Sequence, residues 1–281
     1  MKRRGAALLL AAGTVIAMLH PAGAAAQSAP PATPGSALPL EVRGAAFAEF
    51  DARAGTWILR GAPVVITRGA TRLEAAEIRY AEGTGVAVAS GGVVVRHEAM
   101  TVRSREAEGR LREQVVVARG EVTVTERRPE GEARLSAGRV EVRLGDRRAE
   151  ATAGPLLTHR GGQLSAERIS YDWGAQTAAA SGGAELVMPE GRMSADRMTA
   201  SLAAETLEAT GGVRLSSQDV VATAPQGRVD RRGGTAVLSG GVLVRRGPDR
   251  LSAEMVTVDL RTRRIVATGA PRLIIGSVEG N

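Results

Sequence analysis

From residue 40 onward the chain alternates. After Gly91 the apolar residues Val93 and Val95 share one parity, as do Val122 and Val124 after Gly120 and Val242 and Val244 after Gly240. A period of two marks a strand with one buried face. Before each glycine, small or apolar residues hold the same parity: Ala87/Ala89, Val116/Ala118, Ala178/Ala180, Leu207/Ala209, Ala236/Leu238 and Ile265/Ala267. The face therefore continues in phase through the glycine. A second kind of segment behaves differently. Leu73, Leu135, Leu164, Met193 and Leu251 each begin a Leu-x-Ala-like string, and apolar residues return at offsets of five and seven, as in Ile78/Tyr80 and Val256/Val258. Offsets of 0, 2, 5 and 7 slip by one residue in the middle, which would turn the apolar face outward unless a bend absorbs it. The pattern predicts a kink there.

The two segments alternate in a repeat. The small-x-Gly string recurs at Gly61, Gly91, Gly120, Gly154, Gly182, Gly211, Gly240 and Gly269, with spacings of 30, 29, 34, 28, 29, 29 and 29. Degenerate copies of the second string fall at Val102-Arg103-Ser104 and Val221-Ala222-Thr223. Asp- and Gly-rich turns such as Asp51–Gly55, Glu82–Gly85 and Asp230–Gly234 close one end of successive repeats. The other end varies in length, and Glu126–Gly131 accounts for the longest spacing. Fixed-period self-similarity of this kind specifies a stacked repeat architecture. The prediction is an all-β stack of about 16 strands in two facing sheets, built from eight repeats of about 29 residues. Periodicity alone leaves an antiparallel hairpin stack and a parallel β-helix equally open.

Composition narrows the chemistry. The 281 residues include 35 Gly, no Cys and only six aromatic side chains. Zero cysteine excludes disulfides, thiolate metal sites and Cys nucleophiles. So few rings exclude rows of base-stacking platforms, and no nucleic-acid partner is expected. Residues 1–26 combine a basic start (Lys2, Arg3, Arg4), an apolar run from Ala6 to Leu19 and Ala-x-Ala at Ala22/Ala24 or Ala24/Ala26. This is the make-up of a cleavable secretory signal peptide; the run is short for a membrane span, which takes roughly 20 residues. Residues 27–39 read as a Pro-rich linker, 40–276 as the repeat domain and 277–281 as a tail. Removing the signal lowers the net charge from +7 to +4. The expected location is the periplasm.

Catalytic chemistry is not legible. His97 and His159 fall in different repeats without convergent partners. Gly83-Thr84-Gly85 lacks the third glycine and the following helix of a phosphate loop. Glu77, Glu167, Asp196 and Glu254 recur with the repeat and read as solvent-facing rungs. No enzyme activity, metal or cofactor is expected.

Arg250-Leu251-Ser252-Ala253-Glu254-Met255-Val256-Thr257-Val258-Asp259 followed by Ile265–Gly269, and Arg72–Tyr80 followed by Val88–Val95, resemble the OstA-like repeat of LptA-like periplasmic lipopolysaccharide transport proteins. The resemblance covers roughly residues 42–275. It implies a β-jellyroll whose apolar groove holds the acyl chains of lipid A. It also implies strand-edge pairing with inner-membrane and outer-membrane transport components, with a head-to-tail homo-oligomer as a further arrangement. No barrel segment follows residue 281, so the chain is more similar to the soluble bridge than to the barrel partner. The lining expected on this reading is Val93, Val95, Val122, Val124, Leu135, Leu164, Leu186, Val213, Leu215, Val242, Val244 and Leu251. The same residues also suit the closed core of a secreted structural or adhesive solenoid. An inner-membrane docking component, with its signal retained as anchor, is the other reading left open.

Overall fold

The computed structural model describes residues 41–276 apart from positions 69–70, 98–99, 111–112, 114, 129–130, 144, 160–161, 173–174, 176, 189–190, 202–203, 218–219, 231, 260 and 263. The predicted signal peptide, linker and tail lie outside the described residues. Two compact units divide the chain. Among the described residues, one comprises 41–132 together with Gly138–Ala149, and the other comprises Ala133–Ala137 with 150–276.

The first unit is an antiparallel meander of β1 (Glu41–Asp51), β2 (Thr56–Arg68), β3 (Thr71–Ala81), β4 (Val86–His97), β5 (Met100–Arg110) and β6 (Val115–Arg128), joined by the second half of β7 (Gly131–Arg143). The second unit takes the first half of β7, the end of β8 (Arg148–Thr152), then β9 (Leu156–His159), β10 (Gly162–Ser165) and β11 (Arg168–Asp172). It continues through β12 (Thr177–Met188), β13 (Gly191–Ser201), β14 (Thr206–Ser217), β15 (Val220–Asp230), β16 (Thr235–Arg246) and β17 (Asp249–Asp259) to β18 (Ile265–Thr268) and β19 (Arg272–Ile274). β8/β9, β10/β11 and β18/β19 are each one long strand broken in the middle, so the described chain amounts to sixteen long strands. All strand pairings among the described residues are antiparallel, which settles the choice against a parallel helix.

The break reflects a bend that every long strand carries. On β3 the buried residues Leu73 and Ala75 are followed by buried Ile78, a slip of one. Facing them on β4, Ala87, Ala89, Val93 and Val95 remain in phase but span one residue more. The pairing register shifts between Glu74 and Glu77, opposite Val94 and Ser90. The extra residue is absorbed by Gly91 and Gly92, whose φ angles are +80° and +86°, a bulge that bends the strand and keeps both inward faces inward. The kink expected on the Leu-x-Ala strands is present, and the glycine strands bend with them. Corresponding register shifts recur at Ser181/Ala184, Thr210/Val213 and Ser239/Val242.

Crowding at the bend explains the first glycine. A Cβ on Gly91 would lie 2.5 Å from Ala76 Cβ, on Gly211 2.6 Å from Asp196 Cβ and on Gly269 2.3 Å from Glu254 Cβ. The Glu254 amide donates to the Gly269 carbonyl at 3.1 Å, and Glu167 does the same to Gly182. The second bend residue has open space around it, and Glu121 and Ala270 fill that left-handed position at φ +54° and +53°.

The bend also corrects two sequence assignments. Gly154 has the open surroundings of a second bend residue, and Ala153 (φ +61°) holds the first position. Ala149 and Ala151 are buried four and two residues before it, as Ala87 and Ala89 are before Gly91. The repeat places a glycine, Gly138, at the position that elsewhere crowds the corner. Similarly, Ala222-Thr223-Ala224 is the degenerate second string, because Ala222 and Ala224 are buried and Val221 points to the opposite face. With Ala153 in place, the corners from Gly91 to Gly269 are spaced 29, 33, 29, 29, 29 and 29.

Outward faces are held by ion pairs, most densely in the first unit. Glu74 accepts from Arg72 at 2.7 Å and Arg96 at 2.5 Å. Partial burial pushes its carboxyl up, and those two arginines more than offset this, holding it below the ordinary 4.5. Hydrogen bonds from Arg60 and then Arg79 lower Glu77, and those from Arg110 and then Arg119 lower Glu108. Arg139, with a smaller contribution from Arg143, lowers Glu141 against its burial. In the second unit Asp259 is lowered by the backbone N–H groups of Thr262 and Arg261.

Two outcomes follow from the bend and the ion pairs. Gly212→Ala adds a methyl in open space at φ +65° and should cost about 1 kcal/mol, whereas Gly211→Ala should cost about 3 kcal/mol because its methyl also collides with Asp196. Urea melts check the order, and equal costs would refute the steric account. Carboxyls with lowered folded pKa stabilise the fold above their unfolded value and lose that contribution as pH falls through the folded one. Thermal midpoints should therefore drop between about pH 5 and pH 3, with amides of the first unit losing hydrogen-exchange protection before those of the second. Combined Glu74→Gln and Glu108→Gln should flatten the drop, and an unchanged slope would contradict the assignment.

Candidate functional site

In the second unit one arm of the bent sheet carries a continuous inward ladder. Leu135 faces Leu157, which faces Leu164, and the row continues through Leu186, Met193, Leu215, Ala222, Val244 and Leu251 to Leu273. Cross-strand neighbours on one face lie about 5 Å apart, so the row is an unbroken apolar strip. One step nearer the bend runs a parallel row of smaller residues, with Ala184 opposite Ala195, Val213 opposite Ala224 and Val242 opposite Ala253.

The other arm supplies Ile169, Ala180, Met198, Ala209, Gly227, Leu238, Val256 and Ala267 in register. These join the first arm in one core cluster. Where they meet, a Cβ on Gly227 would lie 3.1 Å from Leu238 Cδ2 on its own arm and 3.3 Å from Val213 Cγ1 on the other. The two arms therefore close on each other beside the bend.

Exposure differs along these rows. Val213 and Val242, beside the bend, are 1% exposed; on the outer row Met193 and Ala222 are buried, whereas Leu135, Leu164, Leu186, Leu215, Val244 and Leu251 are half-buried. In the first unit the outer row is Ile66, Leu73, Val95, Val102 and Val124. There Val93, Val95, Val122 and Val124 are all buried. All twelve residues singled out from the sequence thus lie on the inward face, six sealed and six open along one margin.

Leu157, Met193, Ala222 and Leu273 belong to the same ladder and were not among the twelve. Their signal was present: Leu157, Leu186, Leu215, Val244 and Leu273 are spaced by 29, as are Leu135, Leu164, Met193, Ala222 and Leu251. Ser104 stands in the buried row opposite Val93, where other repeats have alanine, and its hydroxyl has no partner among the described residues.

Among the described residues the strand at each end of the series has a neighbour on one side only. β1 pairs with β2 and is exposed along its whole length, presenting Val42, Phe47 and Phe50. Phe50 stacks on Trp57 at 4.6 Å, and Trp57 Nε1 donates to Glu82 at 3.0 Å. At the far end β18 and β19 pair with β17 and expose Ile265, Leu273 and Ile275. Pro271 lies in the gap between β18 and β19, where a proline, which has no N–H, withholds no donor from the β17 ladder.

The polar candidates stay dispersed. His97 and His159 end β4 and β9 in different units. Glu167, Asp196 and Glu254 are exposed on the outer side of the bend, and Glu77 is held by its two arginines. Among the described residues no three His, Cys, Asp or Glu side chains come together as a metal site.

Among solved structures, LptH of Pseudomonas aeruginosa, described as the LptA-homologous periplasmic component of the lipopolysaccharide transport device, matches at 17% identity and a TM-score of 0.29, covering 54% of this chain and 95% of its own. No curated protein sequence matches. A family model described as LptA/(LptD N-terminal domain) LPS transport protein matches residues 82–264. The bent antiparallel repeats and that match over more than half of the chain place it in one family: the chain belongs to the LptA/LptD N-terminal lipopolysaccharide transport proteins.

Proposed function

We propose that this chain is a non-enzymatic periplasmic bridge that carries lipopolysaccharide from the inner toward the outer membrane, with the acyl chains of lipid A lying against the inward ladder. The observation that carries the reading is the half-burial of Leu135, Leu164, Leu186, Leu215, Val244 and Leu251 along one margin of an otherwise sealed face. A folded chain normally hides such a leucine row, because each methylene removed from water is worth about 0.8 kcal/mol. Those six are the acyl-contact surface on this reading. Val213 and Val242, sealed beside the bend of the same unit, form its floor, and Val93, Val95, Val122 and Val124 are the sealed inward positions of the first unit. Apolar contact needs no fixed polar partner, which suits a cargo that must slide.

The open edges complete the proposal. Unpaired strands invite addition of a further strand from another chain, and β1 and β18/β19 offer one at each end. On this reading inner-membrane and outer-membrane transport components dock there, or copies of the chain join head to tail. The basic, apolar N-terminal segment directs export to the periplasm, where signal cleavage leaves the Pro-rich linker ahead of β1.

The test is site-specific photo-crosslinking in living cells. A photoreactive side chain at Leu215 or Leu186 should capture lipopolysaccharide, and one at outward Arg214 or Arg228 should not. Capture confined to the outward positions, or none from the ladder while the protein remains folded, would overturn the groove and favour a closed structural stack.

A further inference from the structure

The outward faces of the two units solve the same electrostatic problem differently. In the first unit Arg72 and Arg96 stand directly opposite each other on β3 and β4. Like charges in that position repel, and Glu74, two residues along β3, reaches both of them. In the second unit Arg245 and Arg250 stand directly opposite on β16 and β17. The residue two along β17 is Ser252, and it faces a third arginine, Arg272, on β19. Three exposed guanidinium-bearing strand positions thus surround a serine where the equivalent lattice has a carboxylate. Among the described residues none of the three arginines has an ion-pair partner. The nearest acid in sequence, Asp249, accepts the Gly276 N–H at 3.1 Å.

Apolar residues share this surface. Leu243, directly opposite Ser252 on the other side, is 51% exposed, and Ile274, opposite Arg250, is 50% exposed. A cluster of arginines lacking its counter-charge, set among protruding aliphatic side chains, is complementary to a layer of phosphate headgroups with hydrocarbon beneath it. We propose that Arg245, Arg250 and Arg272, with Leu243 and Ile274, form a docking surface for the face of an anionic phospholipid bilayer. This surface is on the side of the sheet opposite the inward ladder and does not depend on what that ladder holds.

The test is sedimentation of the purified mature chain with vesicles of phosphatidylethanolamine doped with phosphatidylglycerol, against vesicles of phosphatidylcholine alone. The chain should bind the anionic vesicles, and binding should weaken as salt rises. Ser252→Glu restores the carboxylate that Glu74 supplies in the first unit; it should lower vesicle affinity by roughly tenfold while leaving the thermal midpoint unchanged or raised. Paired Arg245→Gln and Arg250→Gln should have a similar effect, and Leu243→Gln a smaller one. Equal binding to both vesicle types, or an unaltered affinity in Ser252→Glu, would overturn the proposal. Saturable binding of inorganic phosphate without vesicle binding would assign the arginines to a soluble anion and overturn it as well. The vesicles contain no lipopolysaccharide, and cross-linking from Leu215 in Ser252→Glu reads the inward face separately.

Discussion

Everything in this protein depends on the unequal count of residues across each bend. A strand that slips by one residue pairs with a strand that carries one too many, and the pair of left-handed residues at the corner absorbs the difference. Because of that device the apolar face stays inward on both arms at the corners from Gly91 to Gly269. Each unit then buries one face by folding its sheet on itself, without disulfides and, among the described residues, without helices. The steric contact of the corner glycine with the preceding strand, as at Gly211 and Asp196, makes the bend a fixed feature of each rung.

The same geometry divides the inward face by depth. Beside the corner the arms are close enough for Val213 to approach Gly227 of the opposite arm, and the valines there are core. Farther out the leucines keep part of their surface in water. On the proposed reading the dry valines hold the arms together and the half-buried leucines are where cargo would lie.

Outward, the arginines do work that a lysine surface would do less well. A guanidinium can bridge two carboxylates or stack on a ring, as Arg60 does when it pairs with Glu77 and lies 5.3 Å from the Phe47 ring centre. In the first unit the glutamates are interleaved so that opposed arginines share one acid. Near the end of the second unit the acid is missing and the arginines stay uncompensated, so two copies of one lattice present different surfaces to their surroundings.

The repeat, its strands, the turn positions and the inward parity of all twelve ladder residues were legible in the sequence, because period-two alternation and a 29-residue recurrence are local properties of the chain. The family resemblance was legible for the same reason. Corner register was legible only where a glycine marks it: at Ala153 the glycine beside the corner drew the assignment one residue too far, and at Ala222 a β-branched neighbour did the opposite. Tertiary structure decided which inward residues are sealed and which are half-open, since the separation of two arms is set by contacts between residues far apart in the chain, such as Val213 and Gly227. It also decided which arginines have partners. Cross-strand register places Arg72 and Arg96 beside Glu74 and leaves Arg245 and Arg250 beside Ser252, and no pattern along a single strand carries that information.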